Sequence, residues 1–197
     1  MAQSRSGQTD AQAKEGREIA LLDRVRRSDR AAFSELYRLY HPRLYGYLRR
    51  LLADHGTVEE ILDDVMLVVW KDVRKFRGRG AVSSWIFGIA YRKALTAMRS
   101  ERRYQLRIDR TTDTDSIACP SSQHDDWIRA ALMQLSPEHR QVVELTYFSG
   151  FAYREIAEIA DCPVNTVKTR MFHAKRRLRV LLPALAGRPR EQNRERA

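Results

Sequence analysis

The amino-acid sequence predicts an all-α protein in which a flexible linker joins two helical domains. Apolar residues recur at helical spacing through two blocks of the chain, at about 18–103 and 127–186. No stretch alternates apolar and polar residues as a half-buried strand does. Between the blocks, residues 104–126 lose the helical period and become small, polar and acidic, which is typical of a linker. A chain of 197 residues has room for two small domains.

The composition indicates a folded protein whose partner is a polyanion. Hydrophobic residues make up 43% of the chain, which is enough for a buried core. The 36 Lys and Arg residues exceed the 25 Asp and Glu residues by 11, and the isoelectric point is about 10.1. A strongly basic chain of this kind attracts nucleic acid or another polyanion, although the charge alone does not identify which one.

Several classes of protein are disfavoured by the same sequence. The apolar stretch from Val65 to Trp70 is far shorter than the roughly 20 residues of a membrane span. The segment from Met1 to Gly16 is polar and lacks the apolar part of a secretory signal. Cys119 and Cys162 have neither metal-ligand spacing nor a disulfide framework around them. We therefore expect a cytoplasmic protein with no membrane span, metal or cofactor.

The first block divides into helices at its capping and breaking residues. Ser28 and Asp29 can cap a helix in which apolar residues recur from 33 to 40. Pro42 is expected to restart a helix, and Gly56 to end it.

A capping box is expected to begin the next helix of this block. In it, the Thr57 hydroxyl accepts a hydrogen bond from a first-turn N–H, and the Glu60 side chain bonds back. Residues 76–81 (FRGRGA) form a basic loop with two glycines, and a further helix from residues 83–84 ends in the basic run 99–103.

The caps, breaks and apolar spacing of the second block predict four helices. The first spans residues 128–135, and Ser136, followed by proline, caps the second, whose apolar residues include Val142, Val143 and Phe148. Gly150 ends it. A short amphipathic helix at 153–160 and a long one at 164–182 follow, with a three-residue break between them.

The last two helices have the form of a helix-turn-helix, the strongest functional signal in the chain. On the long helix one face is apolar and predicts packing on the domain: Val164, Val167, Met171, Ala174, Leu178 and Leu181. The other positions offer amide, hydroxyl and cationic groups that suit base edges and phosphates in a major groove. These candidates are Asn165, Thr166, Lys168, Thr169, Arg170, His173, Lys175, Arg176 and Arg177. A merely solvated basic face is the alternative, which the preceding helix and tight turn disfavour.

Two separate motifs resemble one known family. GFAYREIAEIADCPVNTVKTRMFHAKRRLR resembles the C-terminal helix-turn-helix of bacterial sigma factors, most nearly those of the extracytoplasmic function (ECF) type. In the first block AAFSELYRLY, EEILDDVMLVVWK and SSWIFGIAYRKALTAMRSERR resemble the same family in the expected order. The resemblance covers about residues 18–182.

The resemblance implies a division of the chain into parts with different tasks. Residues 18–103 would be the region 2 domain, and residues 127–186 the region 4 domain with the −35-reading helix. Residues 104–126 would be the linker, and the segments 1–17 and 187–197 read as disordered tails by composition. Such a protein has no catalysis of its own. It binds core RNA polymerase and directs it to promoter DNA.

The resemblance also implies contacts with polymerase and with an anti-sigma factor. The helix from Thr57 to Lys75 would dock on the β′ clamp helices, and the outer side of the second block would hold the β flap. The candidate docking residues are Glu59, Glu60, Asp63, Asp64 and Trp70. An acidic helix start that is simply favoured by the helix dipole is the alternative for the carboxylates. An anti-sigma factor often holds such proteins inactive.

The basic loop and the helix after it would recognise and open the −10 element. Opening a duplex requires a pocket for an unstacked base and a cationic surface for the displaced strand. The candidates are Arg74, Lys75, Phe76, Arg77, Arg79, Trp85, Tyr91, Arg92, Lys93 and Arg99. For Phe76 and Trp85 a plain core role remains equally open.

The sequence departs from the family pattern at a few positions. Ala152 stands where a capping Ser or Thr is common, and Asn165 stands where Gly is frequent. Asp63 and Asp64 replace the usual Gln-Glu but keep the acidic character. We expect the fold and the docking to tolerate these changes, because a lost cap costs only about 1 kcal/mol.

Two rival functions explain less of the chain. A helix-turn-helix regulator that does not join polymerase accounts for residues 127–186 but leaves the first block unexplained. An enzyme acting on nucleic acid needs a clustered site, whereas the five histidines are far apart in sequence. We therefore expect no enzymatic activity.

Overall fold

The computed structural model describes residues 3–52, 54–78, 80–108 and 126–186, and every regular element within them is helical. The elements in chain order are α1 Gln3–Arg26, α2 Arg30–Leu51, α3 His55–Asp72, a 3-10 helix Val73–Lys75, α4 Val82–Ile108, α5 Asp126–Met133, α6 Pro137–Tyr147, α7 Tyr153–Ile159 and α8 Val164–Ala186. The predicted all-α class is confirmed. Three predicted features lie outside the described residues: Arg79, residues 109–125 of the predicted linker, and the C-terminal segment 187–197.

Helices α1 to α4 share an apolar core that α2 organises. Leu36, Tyr40, Leu44 and Leu48 recur every four residues along α2, and all four are fully buried. This spacing brings them onto one face, which packs against α1, α3 and α4. Burying each leucine stabilises the fold by about 2 kcal/mol. The stripe therefore determines how the helices of the first block are arranged.

The prediction that Pro42 starts a new helix is wrong. Pro42 lies inside α2, which runs without interruption from Arg30 to Leu51. A proline in a helix interior costs about 3 kcal/mol because it removes a hydrogen bond and crowds the preceding turn. The apolar stripe stays in phase on both sides of Pro42, so the burial of that stripe outweighs the local cost.

The predicted capping box at Thr57 is also wrong, because α3 begins earlier. Asp54 is the N-cap, and its carboxylate accepts hydrogen bonds from the Thr57 backbone N–H at 2.6 Å and from the Thr57 hydroxyl at 2.8 Å. These bonds lower the pKa of Asp54. Gly56 consequently lies in the first turn of α3 and does not end α2. A charged acceptor three residues before Thr57 competes successfully with the hydroxyl for the role of cap.

The N-terminal segment differs from the expectation as well. Residues 3–17, predicted as a disordered tail, belong to α1. The segment contains no proline and several strong helix formers, so it can extend a helix that tertiary packing already holds further along. That packing includes Leu22 and Glu18, which are both buried, and the Glu18 carboxylate accepts a hydrogen bond from the Tyr40 hydroxyl at 2.7 Å.

The second block follows its predicted caps closely. Ser136 is the N-cap of α6, and its hydroxyl accepts from the His139 N–H at 3.4 Å. Ala152 precedes α7 without a side-chain acceptor, but the Glu155 carboxylate accepts from the Ala152 N–H at 2.8 Å. This bond supplies one half of the missing capping interaction.

One residue predicted for the core of the second block lies at the surface. Val142 and Val143 are buried as expected, whereas Phe148 is 49% exposed. Phe148 follows the last residue of α6 and falls outside its buried face. Its ring instead lies 4.9 Å from the guanidinium of Arg50, which belongs to α2.

The two helical blocks pack directly on each other, a feature that the sequence did not reveal. The ring of Phe87 on α4 meets the ring of Phe151 edge-on at 4.8 Å. A Cβ placed on Gly88 would lie 3.4 Å from the Ile159 carbonyl oxygen, so the glycine permits the close approach of α7. The Tyr47 hydroxyl also donates a hydrogen bond to the side chain of Gln141.

A buried ion pair crosses the same boundary. The Arg50 guanidinium lies 2.6 Å from the carboxylate of Glu144, whose side chain is fully buried. Burial raises the pKa of Glu144, while the hydrogen bond and charge of Arg50 act in the opposite direction. Such a pair costs desolvation energy to form, but losing one partner leaves a buried charge without compensation.

We predict that Arg50→Ala lowers the free energy of unfolding by about 2 to 3 kcal/mol, measured by urea denaturation. The raised pKa means that Glu144 takes up a proton more readily in the folded chain than in the unfolded chain. Its contribution to stability is therefore present at low pH and is lost as the pH rises through its folded pKa. The cost of Arg50→Ala should accordingly be smaller at about pH 5 than at about pH 8.

The matched control is Arg38→Ala, because Arg38 is exposed on the same helix and has no ion pair among the described residues. It should change stability by no more than about 0.5 kcal/mol. An equal loss in both variants would contradict the importance of the pair.

Candidate nucleic-acid and partner surfaces

The helix-turn-helix is formed by α7, a tight turn and α8. Asp161 takes a positive φ of 47° in the turn, and the Cys162 N–H donates to the Ala157 carbonyl at 3.0 Å. On α8 the side chains of Val167, Met171 and Ala174 are buried, as the apolar spacing predicts. Their burial turns the remaining faces of α8 outwards.

The outward faces of α8 carry the polar and cationic residues that the sequence singled out. Seven of the nine candidates are exposed: Asn165, Lys168, Thr169, His173, Lys175, Arg176 and Arg177. Thr166 and Arg170 are half-buried. A hydrogen bond with the Tyr147 hydroxyl raises the pKa of Lys175, so this lysine stays charged. Sequence reasoning missed Phe172, which is 63% exposed on this helix.

A pair of imidazole rings lies beside this surface. The rings of His139 and His173 are stacked with centroids 6.1 Å apart. Burial, together with the nearby His173, lowers the pKa of His139. His139 is therefore neutral near pH 7, where it adds no positive charge beside α8.

A small open cavity of about 240 Å³ lies beside the basic loop between the 3-10 helix and α4. Gly78 and Gly80 have φ values of 68° and 116°, which L side chains rarely adopt. Phe76 is buried against the half-buried Trp85, with ring centroids 5.5 Å apart. The cavity is lined by Lys75, Phe76, Arg77, Ala81, Ser84, Trp85 and, from the other block, Glu158.

Two features of this cavity were not visible in the sequence. The Ser84 hydroxyl is buried and has no hydrogen-bond partner in the part of the chain that the structure describes. Glu158 on α7 reaches the loop from the second block, where one of its carboxylate oxygens lies 2.7 Å from the position that a Cβ on Gly80 would take. Only the folded arrangement brings Glu158 to the loop, because Glu158 is far from Gly80 and Ser84 in the chain.

The other candidates for −10 recognition occupy different environments. Arg74, Arg77 and Arg92 are exposed. Tyr91 is buried, and its hydroxyl accepts a hydrogen bond from the Arg170 guanidinium at 3.3 Å. Burial raises the pKa of Tyr91, whereas the charge of Arg170 opposes that rise.

Three of the predicted DNA contacts are engaged in ion pairs. Lys75 lies 3.0 Å from the carboxylate of Asp72. Lys93 on α4 and Asp64 on α3 approach to 2.7 Å, and the Arg99 guanidinium lies 2.7 Å from the Glu138 carboxylate of the second block. Ion pairs at exposed sites contribute little to stability, so these cations can exchange partners readily.

An acidic and apolar groove runs between α2 and α3. It measures about 670 Å³, and its lining residues are Arg30, Phe33, Ser34, Tyr37, Asp63, Asp64, Met66, Leu67 and Trp70. Trp70 is half-buried and meets Phe33 edge-on at 5.0 Å. Leu67, which the sequence analysis did not single out, is 47% exposed. Glu59 is half-buried and Glu60 is exposed on the same helix.

The second block carries an apolar groove with a cationic rim. Its volume is about 550 Å³, and it is lined by Ile128, Leu132, Val143, Tyr147, Phe148, Lys175, Leu178, Arg179 and Leu182. Tyr147 and Phe148 are among the most exposed large apolar residues of the described chain.

Neither a metal centre nor a membrane span was found in the part of the chain that the structure describes. No group of three or more His, Cys, Asp or Glu residues there could hold a metal ion. No helix within the same ranges is long and apolar enough to cross a membrane.

Comparison with known proteins assigns both blocks to one family. The sequence profile of Sigma-70 region 2 matches residues 36–104, and that of Sigma-70, region 4 matches residues 125–178. The chain is similar to the ECF RNA polymerase sigma factor SigK of Mycobacterium tuberculosis, with 31% identity over 169 residues that cover 81% of this chain and 90% of SigK. The chain belongs to the ECF family of RNA polymerase sigma factors. SigK of Mycolicibacterium vanbaalenii is also 31% identical, over 83% of this chain and 88% of the relative.

Two solved structures share the fold of this sigma factor. The sigma factor RpoE from Bartonella quintana, solved in complex with the anti-sigma factor NepR, is 26% identical over 77% of this chain and 96% of RpoE, with a TM-score of 0.63. CnrH, solved with the cytosolic domain of CnrY, is 21% identical over 85% of this chain and 98% of CnrH, with a TM-score of 0.67. The likeness to CnrH extends to the fold alone.

The exposed cations of α8 lead to a prediction for DNA binding. Removing Lys168 with Lys168→Ala should lower the magnitude of the slope of log affinity against log salt by about 1, because one phosphate contact is lost. The measurement is fluorescence anisotropy of the whole chain with a mixed-sequence DNA duplex. Arg38→Ala removes an exposed cation from α2 and should leave the slope unchanged. Equal slopes for both variants would contradict a phosphate-binding role for α8.

Proposed function

We propose that this sigma factor uses two cationic surfaces of its own to read two promoter elements while a separate acidic groove holds core RNA polymerase. The observation that carries this proposal is the presence, on one chain, of region 2 with its basic loop and region 4 with its helix-turn-helix. The protein itself performs no chemistry, because nucleotide addition belongs to the polymerase. Since it acts with polymerase on the chromosome, we propose that it works in the cytoplasm.

The −35 element would be read by α8. Its exposed Asn165 can pair with the edge of an adenine, and Lys168 and Arg176 can reach guanine or phosphate oxygens. The hydroxyl of Thr169 is bonded to the Asn165 carbonyl at 2.9 Å, which leaves its methyl group for thymine contacts. Arg170 would join this set once it is released from Tyr91. The cations closer to the end of α8 would contact phosphates and fix the register.

The −10 element would be opened by the basic loop and the start of α4. The cavity beside Phe76 and Trp85 provides aromatic surface for an unstacked base, and the buried Ser84 hydroxyl adds a hydrogen-bonding group there. Lys75 and Arg77 at the loop would hold the backbone of the displaced strand. Arg92 and Lys93, further along α4, would contact phosphates of the upstream duplex.

Polymerase would dock at the groove between α2 and α3. Its apolar floor, with the exposed Leu67 and the edge of Trp70, is bordered by Asp63 and Asp64. That combination suits an amphipathic helix with basic flanks, which is the chemistry expected of the β′ clamp helices. The apolar groove of the second block, with Lys175 and Arg179 at its rim, suits the β flap.

An anti-sigma factor is the second partner that we propose. The solved relative RpoE is bound to the anti-sigma factor NepR, and its fold extends over most of this chain. The same two grooves, one acidic and one cationic at the rim, leave apolar surface that a regulatory partner can cover.

Run-off transcription with core polymerase on a library of random promoters tests the proposed function. The chain should select a small set of templates that share two spaced elements, and core polymerase alone should select none. In the same assay, Arg170→Ala should relax or abolish preference at the upstream element only. A helix-turn-helix regulator that does not join polymerase would give no selected transcripts, and that result would overturn the proposal.

Docking at the α2–α3 groove makes a separate prediction. Leu67→Ala should weaken binding to core polymerase about tenfold, because an exposed apolar contact that lines the groove is lost. The free energy of unfolding should change by no more than about 0.5 kcal/mol, since Leu67 is half exposed. Ile19→Ala on α1 is the control, because it truncates another partly exposed side chain. Comparable weakening in both variants, measured by competition for core polymerase, would exclude the groove.

A further inference from the structure

Residues proposed to touch DNA in one block are covered by residues of the other. Arg170 of the −35-reading helix donates a hydrogen bond to the buried Tyr91, which belongs to the −10 surface. Arg99 on that surface is paired with Glu138. In this arrangement, then, each DNA-reading surface is partly occupied by the other.

The loop cavity shows the same relation at its mouth. Glu158 projects from α7 towards the loop, and its carboxylate lies against Gly80 and lines the cavity with Lys75 and Arg77. Among the described residues, this carboxylate has no hydrogen bond and no ion pair. It is held near the loop by the packing of α7 on α4, where Gly88 allows the close approach of Ile159.

A carboxylate and a DNA phosphate present the same chemistry to a cationic loop, because each offers anionic oxygens to lysine and arginine. Like charges repel each other, so Glu158, which lines the same cavity as Lys75 and Arg77, opposes the approach of a phosphate to these two cations. A part of the chain that supplies such an anion therefore competes with DNA for the loop.

We propose that Glu158 acts as an internal substitute for a DNA phosphate, which keeps the −10 loop closed to single-stranded DNA until the second block moves away from α4. Separation of the blocks would release Glu158 from the loop and Arg170 from Tyr91 together. This inference rests on the proposed −10 role of the loop. It adds an inhibitory contact that belongs to the chain itself.

The decisive variant is Glu158→Gln, which removes the charge and keeps the shape. The control is Asp161→Asn, which makes the same change in net charge three residues away, outside the cavity lining. Asn tolerates the positive φ of position 161. Both residues are exposed, and circular dichroism during thermal unfolding checks that both variants keep the fold.

Binding of the whole chain to a fluorescent single-stranded DNA of about 12 nucleotides is measured by anisotropy. Glu158→Gln should bind about fivefold more tightly than the unchanged protein, whereas Asp161→Asn should differ by less than about twofold. Equal affinity gains in the two variants, or no gain in Glu158→Gln, would overturn the proposal.

A second oligonucleotide, with neutral methylphosphonate linkages, isolates the phosphate charge. On this probe the gain of Glu158→Gln should disappear, because no anion remains for Glu158 to exclude. A gain that persists on the neutral probe would show that Glu158 acts by shape, and would also overturn the proposal. Run-off transcription by the unchanged protein reports separately on the proposed function, so the failure of one idea can be told from the failure of the other.

Discussion

The positions of the candidate functional residues on α3 and α8 depend on the burial of one apolar stripe along each helix. On α8, the burial of Val167, Met171 and Ala174 against the rest of the second block leaves the cationic faces in solvent. On α3, the burial of Leu62 and Val65 similarly leaves the acidic residues at the surface. The hydrophobic effect is non-directional, but the helical period converts it into direction. Charges of opposite sign are thereby presented on different helices, where they can serve different partners.

The contact between the two blocks combines features that bind tightly with features that can be released. The rings of Phe87 and Phe151 and the Arg50–Glu144 pair are buried or partly buried. By contrast, the pair between Arg99 and Glu138 and the position of Glu158 at the loop involve exposed groups. A boundary of this composition has the polar character of interfaces between domains that move relative to each other. It suits a protein that must offer both DNA-reading surfaces at once.

Local sequence signals located most of the helices, and they failed where a stronger neighbouring group or a longer-range interaction competed with them. Ser136 marked the start of α6 correctly because its hydroxyl has no stronger rival nearby. Thr57 failed as a cap because the Asp54 carboxylate is a better acceptor. Pro42 failed as a helix start because the buried stripe of α2 continues through it. Phe148 failed as a core residue because periodicity does not show where a helix ends in relation to its neighbours.

The sequence by itself determined the helical class, the two blocks, the basic helix-turn-helix and the acidic helix α3, because all of these depend on residue type and on spacing within a few turns. The family assignment, too, rests on such local motifs. Only the tertiary structure decided that Glu158 meets the loop at Gly80, that Arg170 meets Tyr91, and that Ser84 is buried at the loop cavity. These contacts join residues that are distant in the chain, or depend on burial by them. Their geometry follows from how whole helices pack, which no local pattern encodes.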